Sequence, residues 1–112
     1  MLHIKNKEYE LKFPVNTLCM MAEDDIDIMN IENVPVNLKT IRDLFYYGLK
    51  YENKKITKNQ AGDLMDDYLE DGGNIYDLFV EIMNALGKSL GKGKANKEDD
   101  SEDNDNKEEE GK

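Results

Sequence analysis

Carboxylates are the groups in this 112-residue chain with the most chemistry to offer, and each cluster of them fails a specific requirement. A calcium loop of the EF-hand type needs oxygen ligands at alternate positions, then glycine, then glutamate at the twelfth position. Asp25-Ile26-Asp27-Ile28-Met29-Asn30 lacks both the third ligand and the glycine. Asp63, Asp66, Asp67, Glu70 and Asp71 fall on the polar side of a helical pattern and read as a solvated face. Paired carboxylates for acid–base catalysis need an apolar pocket that raises one pKa and leaves its partner ionised, and no stretch here suggests one. His3, the only histidine, lies in an expected strand, and Cys19, the only cysteine, reads as a small hydrophobe near the core. Gly87-Lys88-Ser89-Leu90-Gly91-Lys92 follows a helix instead of opening one and lacks the phosphate-loop spacing. The expectation is a protein without catalytic residues, cofactor or metal. What remains is contact chemistry. Tyr46, Tyr47 and Tyr51, with Met20, Met21 and Met29, are residue types that protein-binding patches use. They are equally suited to wrapping the margins of a small core.

The elements that would position these residues centre on Asn37–Gly73. Leu38, Ile41, Leu44, Phe45 and Leu49 recur at helical spacing after Asn37, an N-cap residue, with Val36 placed to staple onto Ile41. Thr57 and Gln60 form a capping box for a second helix with apolar positions Ala61, Leu64, Met65, Tyr68 and Leu69, stopped by Gly72-Gly73. Ahead of this pair, residues 2–13 read as a β-hairpin: Leu2 and Ile4 alternate, Asn6-Lys7 turns the chain, and Tyr9, Leu11 and Phe13 alternate again. Asn16 or Thr17 caps a short helix to about Glu23, with Leu18, Met21 and Ala22 inward. Residues 24–34 fit either a short strand or a loop closed over the core by Ile26, Met29 and Val34. Asn74 then caps a final helix whose stripe is Ile75, Leu78, Phe79, Ile82, Met83, Leu86 and Leu90. The expected fold is α+β, an N-terminal hairpin packed on a small bundle of about four helices.

Charge and composition divide the chain. Residues 1–91 hold 10 basic and 16 acidic side chains, and residues 92–112 hold 5 and 9. The second segment is almost without apolar side chains and is expected to be a disordered charged tail behind a folded domain of residues 1–91. An acidic body repels nucleic acid. No run approaches membrane-spanning length, the N-terminus lacks a signal-peptide core, and one cysteine permits no internal disulfide. The expected compartment is a reducing cytoplasm, with no nucleic-acid or membrane partner.

The chain resembles the tail assembly chaperones of long-tailed phages and prophages of Gram-positive bacteria. The residues that carry the resemblance are IKNKEYELKF at the start, Gly48-Leu49-Lys50-Tyr51-Glu52, Ile56-Thr57 opening a helix, and that helix's end at Tyr68-Leu69-Glu70-Asp71-Gly72-Gly73. The likeness covers about residues 1–90 and departs across 18–34, where the family leads one to expect a longer charged helix. The resemblance implies a non-enzymatic role: binding the tape measure protein, helping tail-tube subunits gather around it, residence in the host cytoplasm and absence from the finished virion. Self-association, or a partner, is expected separately from the small size of the folding unit, which is near the lower end for an independent core. It also implies a longer form made by ribosomal frameshifting. A rival expectation from the acidic charge is a DNA-mimicking inhibitor that fills a basic groove.

Overall fold

A computed structural model of the chain describes residues 2–91. Strands β1 (Leu2–Ile4) and β2 (Lys7–Tyr9) pair antiparallel, with Leu2 opposite Tyr9, His3 opposite Glu8 and Ile4 opposite Lys7. Helices follow at Val15–Glu23 (α1), Leu38–Leu49 (α2), Lys58–Glu70 (α3) and Ile75–Ser89 (α4), with 3-10 turns over Ile28–Asn33. The fold is α+β, a hairpin followed by a four-helix bundle. The expected tail at 92–112 lies outside the described residues.

The hairpin turns one residue earlier than the Asn6-Lys7 expectation. Lys5 and Asn6 both take positive φ, 47° and 71°, as a two-residue hairpin loop of mirror-image twist requires. For lysine that conformation is uncommon, and the end of α3 helps to hold it. Asp71 Oδ2 accepts the Lys5 backbone N–H at 3.2 Å, and Glu70 accepts its Nζ at 3.0 Å. Leu2 and Ile4 are thereby buried against the helices. The second strand ends at Tyr9, short of the expected Phe13, and residues 10–14 form no regular element. Phe13 is buried, and the Lys12 N–H donates to the Gly48 carbonyl of α2 at 3.1 Å. Gly48 permits this approach, because a Cβ there would stand 2.8 Å from the Phe13 ring.

Pro14, and not Asn16 or Thr17, occupies the N-cap of α1. Its carbonyl accepts the first helical bond from Leu18, and no side chain caps the helix. Met21 is fully buried and Leu18 partly so, while Ala22 is exposed, against the inward position expected of it, and Cys19, expected near the core, is exposed too. Residues 24–34 are neither a strand nor the continuation of a long helix. Asp25 at φ 65° closes α1: its N–H bonds to the Ala22 carbonyl and that of Ile26 bonds to Met21. This is a Schellman ending, in which the residue after the left-handed one packs back on the helix. Hence Ile26 is buried beside Met21 in the core. Asp27 then caps the 3-10 turns by accepting the Met29 N–H at 3.0 Å, and Met29 itself is exposed.

Helix α2 is the centre of the bundle and touches α1, α3 and α4. Seven of its residues are buried: Ile41, Asp43, Leu44, Phe45, Tyr47, Gly48 and Leu49. At 100° per residue they span about two thirds of the circumference, wider than the single apolar stripe that the spacing expresses. Asn37 caps it as expected, but Val36 and Leu38 are exposed, so neither contributes to the core. The capping box of α3 forms with both hydrogen bonds present, and Gly72 at φ 98° ends the helix. Of the α3 stripe, Ala61 and Met65 are buried, Leu64 and Tyr68 half-buried and Leu69 exposed. On α4, Leu78, Ile82 and Leu86 are buried, Ile75, Phe79 and Met83 are half-buried, and Leu90 is exposed.

Candidate binding surface

The outer strip of α2 carries Lys39, Arg42, Tyr46 and Lys50, and Asp43 sits on its buried edge. Asp43, at 1% exposure, accepts Lys39 Nζ at 2.9 Å and the Arg42 guanidinium at 3.0 and 3.2 Å, with Lys58 Nζ 3.9 Å away. Lys58 turns mainly to Asp24 at the end of α1, at 2.6 Å, and the Tyr47 hydroxyl donates to the same carboxylate at 3.2 Å. This network ties α1, α2 and α3 together. Its cations satisfy the carboxylates that an acid–base mechanism would need free, so its chemistry is structural.

The Lys58 hydrogen bond holds the Asp24 carboxyl below its ordinary range, and the Asp24 carboxylate in turn raises Lys58. Burial, with Asp24 beside it, pushes the Tyr47 phenol up to about 12. The signs follow from linkage. Tyr47 and Lys58 have folded values above their unfolded ones, so their stabilisation is complete below about pH 10 and is lost as pH climbs. That of Asp24 is present above about pH 4 and is lost as pH falls through its lowered value. Urea unfolding followed from about pH 9 to 12 should show stability falling. Tyr47→Phe should flatten that fall and leave the acid limb intact. An alkaline slope identical in both proteins would assign the loss to other groups.

Of the six contact residues expected from sequence, the structure removes two from the surface. Met21 is at 0% and Tyr47 at 7% exposure, because α1 and its closing turn cover the side of α2 that the stripe leaves free. Tyr46 is half-buried and meets Tyr47 edge-on, with ring centroids 4.8 Å apart. Tyr51 is exposed just beyond the end of α2. Lysines stand over both outer rings: Lys50 is 5.3 Å from the Tyr46 centroid, and Lys12 and Lys54 are 5.0 and 6.0 Å from that of Tyr51. Met20 and Met29 are exposed on α1 and on the 3-10 segment packed against it.

A further apolar surface lies on α4. Tyr76 and Val80, one helical turn apart, are 78% and 54% exposed, with half-buried Phe79 and Met83 adjoining them at helical spacing. The sequence holds a signal for it, since Tyr76 and Val80 make α4 apolar beyond the stripe that enters the core. An open groove of about 460 Å³ runs between residues 9–15 and the end of α4, lined by Leu11, Val15, Ala85 and Lys88 among others. A second, of about 600 Å³, separates the hairpin from the α2–α3 connection. Among the described residues no group of three or more His, Cys, Asp or Glu side chains could hold a metal ion, and no helix is long and apolar enough to cross a membrane.

A hairpin on a four-helix bundle defines a small α+β domain, and its surface carries lysine–tyrosine and apolar patches. Residues 2–107 match the profile of a domain of unknown function, DUF5055, and the chain belongs to that family. No curated protein matches the chain, and no solved structure does.

Proposed function

We propose that the protein is a non-enzymatic binding protein, a phage tail assembly chaperone that covers apolar helices of the tape measure protein while tail-tube subunits assemble. The observation that carries this reading is the outward face of α4. Single exposed apolar residues are ordinary, but Tyr76 and Val80 continue into half-buried Phe79 and Met83 on one helix. An aromatic and aliphatic helix face of this kind suits the groove between, or the stripe along, partner helices. The resemblance at Gly48–Glu52 and at Tyr68–Gly73 supplies the identity of the partner, and the acidic body keeps a complex with an apolar client soluble. The setting is a host cytoplasm, with the protein absent from the mature virion.

Co-expression with helical fragments of the tape measure protein tests this. The fragments should move from the pellet to the soluble fraction and be retained in a pull-down. The double substitution Tyr76→Ser with Val80→Ser should abolish both effects with the circular dichroism unchanged. If no fragment is retained by the unaltered protein, the chaperone reading fails. If the double variant retains fragments as well as the parent does, the α4 face is not the contact.

A further inference from the structure

Charge is unevenly distributed along the sequence of the body. Between residues 39 and 58 stand six basic side chains and two acids, whereas residues 59–87 hold seven acids and no basic side chain. Lys12, Lys50 and Lys54 stand over the rings of Tyr46 and Tyr51, and none of the three has a carboxylate within ion-pair distance among the described residues. An aromatic face is a weak counterpart for an ammonium group, and a carboxylate is a strong one. Described structure ends at Gly91, one turn after α4, and Lys88 and Ser89 of that helix line the same groove as Lys12. The chain therefore leaves the body beside the lysine–tyrosine surface. Six residues further on begins Glu98–Glu110, which contains nine acids and one lysine. Six residues span up to about 20 Å of extended chain, enough to clear the end of α4 and return over Tyr51.

We propose that the acidic run Glu98–Glu110 of this chain docks on the surface formed by Lys12, Lys50, Tyr51 and Lys54. Acids on α3 and α4 repel the run, Asp63 and Glu81 among them at the margins of the two grooves that adjoin this surface, and the three lysines around Tyr51 and Tyr46 complement its charge. Glu10 and Glu52 flank the surface, the Glu52 carboxylate accepting the Glu10 N–H at 3.5 Å, and limit how far the run extends toward the hairpin. The contact shields Tyr46 and Tyr51 in the free protein, and it is strongly salt-dependent because every partner is near solvent. The inference does not depend on the chaperone reading.

The test uses the full chain with the exposed Cys19 replaced by serine and a nitroxide attached through Asn104→Cys. At about 10 mM salt, where the screening length is about 30 Å, the backbone amides of Lys50–Lys55 should lose most of their NMR intensity. Those of Asp67–Asp71, at the end of α3 that meets the hairpin turn, should keep theirs. Intensity should return at about 1 M salt, where the screening length is about 3 Å. It should also return in the triple variant Lys12→Ser, Lys50→Ser, Lys54→Ser. Amide substitution of Asp99, Asp100, Glu102, Asp103 and Asp105, which leaves the body untouched, should restore it equally. Broadening that is absent, that spreads evenly over the body, or that survives high salt or these substitutions would overturn the proposal. So would broadening seen only when labelled, unenriched chains are mixed with enriched, unlabelled ones, because the run would then dock on a second copy.

Discussion

Phe45→Ala lowers the free energy of unfolding by about 3–5 kcal/mol, the range for deleting a fully buried aromatic ring. Phe45 is at 0% exposure in the middle of α2, the helix that α1, α3 and α4 all touch. The core cluster to which it belongs draws residues from the hairpin and from all four helices, so a void at its centre is not readily filled by the shift of one element, and the cavity cost adds to the lost transfer energy. A domain of about 90 residues has a total stability on the order of 5–13 kcal/mol, so the variant should be largely unfolded at modest urea. The check is the urea midpoint at unchanged m value. A loss below about 1 kcal/mol would show that α2 is not the centre of the core.

Ile82→Ala is the second large effect, at about 2–5 kcal/mol, and Phe79→Ala should cost clearly less despite the larger side chain. The spacing along α4 puts Leu78, Phe79 and Ile82 together at the middle of one stripe. Packing separates them: Ile82 is at 0% exposure, while Phe79 is half-buried beside exposed Tyr76 and Val80. A ring already partly in water forfeits less when removed, because the cost scales with the area and volume withdrawn from the core. The two variants, unfolded side by side in urea, decide the matter. An equal or greater loss for Phe79→Ala would mean that α4 is rotated so that Phe79, and not Ile82, faces the core.

That contrast shows why contact residues are harder to read than elements. Tyr46, Tyr47 and Tyr51 are indistinguishable as residue types, yet Tyr47 is core, Tyr46 is half-buried and Tyr51 is exposed. Helical periodicity reports one apolar face against one neighbour. A central helix such as α2 has two covered faces, and the second is written in residues that also suit a surface: Asp43, Tyr47 and Gly48. Met20 and Met21 are likewise adjacent and alike, and only Met21 lies on the side of α1 that meets the core.

Local features are legible in the amino-acid sequence. The caps Asn37, Thr57 with Gln60, and Asn74 start α2, α3 and α4 where they were expected, because a capping side chain bonds to backbone within three residues of itself. Gly72 ends α3 for the same kind of reason, since only its own φ is at stake. The hairpin and the stripe Leu78, Ile82 and Leu86 are legible from alternation and from 3.6-residue spacing. Other features arise from packing between elements. The hairpin turn falls on Lys5-Asn6, where residues some 66 positions away, at the end of α3, bond to Lys5. Asp25 closes α1 because the Ile26 side chain gains burial in a core built by other helices, which offsets a left-handed backbone that aspartate tolerates less readily than glycine. Asp43 is buried because Lys39, Arg42 and Lys58, the last from α3, converge on it. Each of these depends on contacts between elements distant in sequence, and a pattern confined to one element carries no record of the surface that will cover it.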